Sequence, residues 1–420
     1  MFCVGAPVQT TEDSGSVINC RVTVGASKHD VLFRFPPHAP VETADAMLAA
    51  TLIPAMRLRK AFKLTEPVCG TLLSATNKIQ DIMTCWYPDL DRVFPDVASR
   101  SAEVHTKNRG VGCFFSGGVD SFYSVLKHID TISHLIFVHG FDLPLTNPAL
   151  RAKVSQQLQR AAAMLGKHLI EVETNLRNFA DRWAPWGTHY HGAALATVAH
   201  LLSPILHKVI IPSSFSYEML DPWGSHPLLD PLWSTERLEL VHDGCEVNRI
   251  SKVAAIAHND VVRESLRVCY QSLSGAYNCC RCPKCLNTML ALDAVGELGK
   301  VKTFPGGLSE DSLRQARIAS KAGYLFSHEI LTYLTKGAQT RQYEQKIKHM
   351  MHDFELRQQA VAIDPGILAA VRSPLWRDIR DDVLHGIWLS HQRCWLIQGV
   401  FLEMGRYFWR KILRGVEKLR

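Results

Sequence analysis

Two hydrophobic periods alternate along the chain, and the switches between them mark its elements. Near the N-terminus, Val17–Val24 and Val31–Phe35 alternate apolar and polar residues as the strands of a small sheet do, and Pro36-Pro37 ends the second. Thr43 to Leu52 reads as a helix, and Leu72 to Cys85 as another. From about 106 to 300, short apolar runs alternate with helical stretches. Strands are expected at Gly110–Phe115, His134–His139, His168–Thr174 and Lys208–Pro212. Helices are expected from Asp120 to about His128, from Arg151 to Leu165 and from Tyr190 to Leu202. Strand and helix in repetition is the pattern of a parallel sheet. Past residue 300 the period is helical, over Glu310–Ala322, Ser327–Leu334, Thr340–Glu355, Pro374–Leu384 and Ile387–Arg414, with Trp388, Trp395, Phe401 and Phe408 spaced for packing. The expectation is an α/β fold in three parts. A small α+β unit spans 1–105, a parallel-sheet domain 106–300, and a helical region, suited to a cap or a homodimer surface, 301–420.

Composition narrows the class. The 420 residues are 47% hydrophobic and 21% charged, the profile of an ordinary soluble globular protein. No apolar run is long enough to span a bilayer, and Met-Phe-Cys-Val-Gly-Ala-Pro lacks the regions of a signal peptide, so a cytoplasmic protein without a membrane partner is expected. Of the net charge of +7, +5 falls between Arg406 and Arg420, where six basic residues meet one acid. The body is nearly neutral, so nucleic acid is not the expected partner, and the basic tail reads as a solvated helix end. Twelve cysteines in such a chain point to metal binding or thiol chemistry rather than disulfides.

The chemistry concentrates after the first strand of the α/β region. Ser116-Gly117-Gly118-Val119-Asp120-Ser121 turns a buried strand into a helix. Paired glycines let backbone N–H groups approach a ligand, and the helix N-terminus behind them adds positive charge, which together suit phosphate. Ser116 and Ser121 can add hydroxyl hydrogen bonds, and Asp120 can hold Mg²⁺ on the phosphates. Ligands bind outside the carboxyl ends of the strands in open α/β sheets, which gathers Ser116–Ser121, His139–Asp142 and Ser213-Ser214 around one crevice. The segment Glu218–Leu240, with Trp223, Trp233 and three prolines, either builds a substrate wall or packs on the N-terminal unit.

A second constellation is Cys269, Cys279, Cys282 and Cys285, spaced C-x9-C-x2-C-x2-C. Four thiolates with no open position suit a structural Zn²⁺, with an Fe–S cluster as the alternative. Cys280 places a fifth thiol in the cluster.

Ser-Gly-Gly-Val-Asp-Ser resembles the pyrophosphate loop (PP-loop) of the N-type ATP pyrophosphatases, the adenine nucleotide alpha hydrolase superfamily, whose HUP-like fold is built on a parallel sheet. No Gly-Lys-Ser/Thr follows, so it is not a Walker A loop. The resemblance implies cleavage of ATP between its α and β phosphates, adenylation of a carbonyl oxygen, and replacement of that oxygen by nitrogen or sulfur. It also implies adenine contact at the end of the second strand, at His139, and ribose and α-phosphate contact near Ser213. The four-cysteine pattern, with Cys269-Tyr270 at its start, resembles the zinc site of the 7-cyano-7-deazaguanine synthases, where Gly usually stands at the place of Cys280. Lys252 resembles a phosphate-contacting lysine of the same enzymes, and Arg249, one turn earlier, is expected to share that role, a solvated helix charge being the alternative for each.

Cys113, three positions before the loop, bears on the choice of nucleophile. A thiolate there would carry a persulfide or attack the adenylate, favoured by nearby N–H dipoles; a small core residue is the plainer reading, and Cys245 and Cys280 are further candidates. With the phosphate loop and the overall length, Cys113 gives a resemblance to thioamide-forming members of the 6-thioguanine type. That implies a purine-like acceptor such as guanine, and a PLP-dependent protein as sulfur donor. The competing expectations are an ammonia-using amide or nitrile synthase, a tRNA thiolase, and a nucleotide-binding module without turnover.

Overall fold

A computed structural model describes residues 1–12, 15–36, 43–101, 109–270, 275–309, 312–313, 316–318, 320–335 and 343–363. The chain divides into two compact units, Met1–Met351 and His352–Arg420; of the second, only the helical stretch to Ile363 is described. The helices expected at Pro374–Leu384 and Ile387–Arg414 lie outside the described residues; of Glu310–Ala322, residues 316–318 are not helical and Lys321 and Ala322 begin a later helix.

The first strands are β1 (Phe2–Val4), β2 (Val8–Glu12), β3 (Gly15–Val24) and β4 (Ser27–Phe35). Then come α1 (Thr43–Leu58), β5 (Phe62–Leu64), β6 (Val68–Cys69), α2 (Gly70–Trp86), β7 (Pro95–Asp96) and β8 (Ser99–Arg100). The α/β succession runs β9 (Gly110–Phe114), α3 (Val119–Lys127), β10 (His134–His139), α4 (Pro148–Met164), β11 (His168–Thr174), α5 (Leu176–Ala180), α6 (His191–Leu201), β12 (Leu206–Pro212) and β13 (Glu239–Asp243). The helices α7 (Arg249–Ile256), α8 (Asp260–Ser265) and α9 (Pro283–Ala294) follow, then helices over Lys321–Thr335 and Glu344–Ile363.

One eleven-stranded mixed sheet organises the first unit, in the order β13-β12-β9-β10-β11-β4-β3-β1-β5-β7, with β2 on β3. The five strands at one end, β13 to β11, are all parallel. Chain order reverses between β9 and β12, which lie side by side, so a crevice opens above their carboxyl ends. The α/β character expected of the sequence is present. Near residue 105, however, the sheet does not break. β4 pairs antiparallel with β11, and Asn175 ties the two ends together by accepting from Leu32 N at 2.8 Å and donating to the Asp30 carbonyl at 2.9 Å. The N-terminal strands therefore extend the sheet and share its core.

Helix α1 outruns its expected end at Leu52 and continues through Pro54 to Leu58. Ala44 to Met56 are all buried, and packing against α6 outweighs the missing proline N–H; Tyr190 reaches across to the Ala50 carbonyl at 2.6 Å. No described helix is long and apolar enough to cross a membrane.

Candidate functional site

The turn between β9 and α3 has the geometry an anion needs. Gly117 has φ +73°, a left-handed conformation that favours glycine, and a Cβ there would lie 3.1 Å from Leu158. Gly118 is the N-cap of α3 and offers no side chain to cap it, so the first N–H groups of the helix keep no side-chain partner at that position. Ser116 Oγ accepts from Gly118 N at 3.3 Å, Ser121 Oγ donates to the Gly118 carbonyl at 3.0 Å, and Arg267 N donates to the Gly117 carbonyl at 2.7 Å. Val119 is buried beneath the turn. Above the turn lies an open cleft lined by Ser116, Gly118, Asp120, Arg249, Arg267 and Lys284.

Asp120 and the two basic residues of α7 meet at this cleft. Arg249 Nη1 donates to both Asp120 oxygens, at 2.9 and 2.7 Å; Lys252 Nζ stands 3.8 Å from Oδ1, and Ser214 Oγ donates to Oδ2 at 3.3 Å. Burial pushes the Asp120 carboxyl up, but the charges of Arg249, Lys252 and Lys284 outweigh it and hold it below the ordinary range. Its oxygens face cations already in the chain, so the Mg²⁺ role expected of Asp120 requires this pair to open. Lys252, 1% exposed, is fixed by the Ser213 carbonyl at 2.6 Å. Asn248 caps α7 by accepting from Ser251 N, which sets the helix so that Arg249 and Lys252 point together.

Arg267 is the residue that sequence reasoning missed. It is 4% exposed, it lines the cleft, and its Nε and Nη2 are buried with no hydrogen-bond partner. Buried N–H groups are normally satisfied, and a guanidinium short of acceptors beside a glycine-rich turn marks a place for an anion. The sequence signal was present in Leu266-Arg267-Val268-Cys269, a basic residue two positions before a metal ligand. Lys284, inside the Cys-Pro-Lys-Cys turn, joins the same wall.

Two expected site residues are placed elsewhere. Cys113 is fully buried in β9, opposite Leu135 of β10 and Ile210 of β12. Burial, with the nearby Asp243 carboxylate, pushes its thiol well above the ordinary value, so the thiolate expected there is disfavoured and the residue acts as a core side chain. His139 has both ring nitrogens engaged, Nε2 with Glu171 at 3.0 Å and Nδ1 with Arg151 Nε at 3.3 Å, and it does not line the cleft. Ser213 lies at the end of β12, where its hydroxyl donates to the Phe215 carbonyl at 2.8 Å.

The cysteine cluster forms as its spacing implied. The sulfurs of Cys269, Cys279, Cys282 and Cys285 all lie within 4.8 Å of one another, a set that can hold a metal ion such as zinc. Backbone N–H groups of Cys282 and Cys285 point at Cys279 and Cys282 sulfurs, at 3.3 and 3.5 Å. Asn278 braces the cluster by accepting from Val268 and Cys269 N and donating to the Leu266 carbonyl. Cys280 stays outside the set, with φ +55° and its sulfur turned to the Asn278 carbonyl. A left-handed backbone explains why glycine suits this position. Because Cys269 and Lys284 also line the anion cleft, the metal site and the cleft share a wall.

The segment Glu218–Leu240 packs on the N-terminal region, as one of its two expected roles required. Trp233 is buried, and Glu236 accepts from Cys69 Sγ at 2.6 Å, which fastens the segment to the N-terminal region. Trp223 and His226 line a second cleft beyond Ser214. No family model, curated protein or solved structure matches this chain.

Proposed function

We propose that the chain is a PP-loop-type ATP pyrophosphatase, which adenylates a carbonyl oxygen of a small purine-like molecule and lets a nucleophile displace AMP. The observation that carries this reading is Arg267, buried with two unpartnered N–H groups beside the Ser116–Ser121 turn. The turn N–H groups and Arg267 would hold the phosphates. Lys284 and, once released from Asp120, Arg249 would offset the charge that develops on the leaving pyrophosphate. Mg²⁺ would supply further charge on the phosphates when bound. The four-cysteine site, which fits zinc, would keep Arg267 and Lys284 in register.

Sulfur as the incoming nucleophile gives a thioamide, with a PLP-dependent protein as donor. The burial of Cys113 favours a second reading in which ammonia enters instead, since a disfavoured thiolate makes a poor internal sulfur carrier. The experiment is mass spectrometry of products from Mg-ATP, purines and either sulfide or ammonia. AMP and pyrophosphate with an oxygen-to-sulfur product support the first reading, and an oxygen-to-nitrogen product the second. ATP left intact with every acceptor refutes both.

A further inference from the structure

The second, open cleft is walled by Ser213, Ser214, Phe215, Trp223, His226 and His242. It adjoins the first cleft directly, because Ser214, on its wall, donates to Asp120 at 3.3 Å. One side is aromatic, where the Phe215 and Trp223 rings pack edge to face, 6.0 Å apart at 74°. At its floor the His242 side chain is 3% exposed. Nδ1 is bound to Asp230 Oδ2 at 2.7 Å, and Nε2 is buried without a well-aligned hydrogen bond, the Cys245 thiol being the other polar group beside the ring. Asp230 is fully buried and receives a second hydrogen bond from Ser225 at 2.7 Å, so the ring is fixed from behind. An oriented imidazole whose Nε2 lines a cleft calls for a polar atom on a ligand, an acceptor when the ring is protonated and a donor when it is neutral.

We propose that this cleft is the acceptor-substrate pocket, taking a planar nitrogenous ring with a hydrogen-bond-accepting atom that Asp230-oriented His242 contacts through Nε2–H. The inference rests on the ATP-activating reading for what happens next, but not for the binding itself. An aromatic side suits a planar ring, and a protonated imidazole at the floor selects an acceptor atom over a donor. Placement beside Ser214 would bring a substituent on that ring to the α-phosphate side of the anion cleft.

The charge on His242 follows from its surroundings. Burial lowers its pKa, but Asp230, then Cys245, raise it to about 9, while His191 and His226 face it from the cleft side. At pH 7 the ring is a cation with a donor to offer. Ligand affinity should therefore hold near neutral pH and decline as pH rises through about 9.

The test is calorimetric titration of hypoxanthine, and separately of ATP, into wild-type, His242→Gln and Arg267→Gln proteins from pH 6 to 10. Hypoxanthine should bind the wild type and Arg267→Gln alike. His242→Gln should bind it about 10- to 100-fold more weakly, as expected for a lost charge-assisted hydrogen bond. Subtracting the variant's pH profile from the wild type's removes the base's own ionisation, and the difference should vanish above about pH 9. ATP affinity should fall in Arg267→Gln and not in His242→Gln. Absent base binding, or equal affinity with and without His242, overturns the pocket. Base binding without ATP binding overturns the ATP reading and leaves the pocket standing. Should His242→Gln fail to fold, the His242 ring signal of ¹³C-histidine-labelled wild type is read instead: a shift on adding hypoxanthine supports the contact, and an unmoved signal overturns it.

Discussion

Replacing Arg267 by methionine should move stability and nucleotide binding in opposite directions. The free protein buries this guanidinium with Nε and Nη2 unpaired. Each orphaned buried donor costs about 1–3 kcal/mol, so two of them cost about 2–6 kcal/mol. Methionine keeps most of the length and apolar stem, and apolar replacement of buried ionic groups is often stabilising by about 1–4 kcal/mol. We expect the variant to be more stable by about 1–3 kcal/mol, after allowing for loss of the guanidinium's remaining contacts. Binding should go the other way. Two charge-assisted hydrogen bonds to phosphate, at about 1.5–3 kcal/mol each, amount to about 3–6 kcal/mol, a loss of roughly 10²- to 10⁴-fold in affinity. The assay is thermal unfolding with and without ATP and pyrophosphate, joined to calorimetric titration. Wild type should gain melting temperature with ligand. The variant should start higher and gain little. A variant that melts lower than wild type and still binds ATP normally would show that Arg267 is a structural residue and that the anion belongs elsewhere.

Three further outcomes are expected. Chelation should release one metal equivalent, seen with a colorimetric indicator, and weaken ATP binding along with lowering melting temperature, because Cys269 and Lys284 share the cleft wall; unchanged ATP affinity in the metal-free protein would separate the two sites. Cys280→Gly should stabilise the protein by about 1 kcal/mol in urea unfolding and keep the full metal content, since it relieves a left-handed non-glycine residue outside the ligand set; lost metal would make Cys280 a ligand. Asp243→Asn should destabilise by about 2–4 kcal/mol at pH 7, because Asp243 accepts from Ser124, Lys127 and His128 and binds α3 to β13. Burial raises the Asp243 carboxyl, but His128, Ser124 and Lys127 bring it below its ordinary 3.8. Its contribution is thus present above 3.8 and lost as pH falls through the lower folded value, so unfolding at pH 7 and in strong acid should show the gap closing.

What the sequence revealed was set by period and spacing; what it concealed was set by packing. The strands His134–His139 and His168–Thr174 appear with the bounds their apolar runs implied, and the four cysteines converge as C-x9-C-x2-C-x2-C required. Such features need only local chain geometry. Cys113 misled because a cysteine in an apolar run close to a phosphate loop carries no mark of how deep it lies. Only strand order, with β10 and β12 on either side, buries it. His139 misled in the same way, since Glu171 and Arg151, which occupy its nitrogens, come from a neighbouring strand and a helix. Asp230 and His242 were overlooked because each stands in an unremarkable local sequence, and Arg267 because its place two residues before Cys269 does not by itself mark it. What singles them out is an unpaired buried atom, a property of the folded chain.

The placement of the cysteine cluster then acquires a physical reason. A turn such as Ser116–Gly118 binds an anion only if cations stand opposite it, and long basic side chains left to themselves favour solvent. Here the opposite wall is Arg267 to Tyr270, which follow α8 without regular structure, with Lys284 from the first turn of α9. Asn278 ties it at Leu266, Val268 and Cys269, and the four sulfurs close around the same turn. A metal there would fix the chain within two residues of Arg267 and one of Lys284, at less cost than packing a larger core behind them. On the other side Asp120 gathers Arg249 and Lys252, so the cleft has one wall of paired cations and one where two guanidinium N–H groups lack partners. On the proposed reading, a polyanion would satisfy Arg267 first and then compete with Asp120 for Arg249, its own charge providing the means to open that pair.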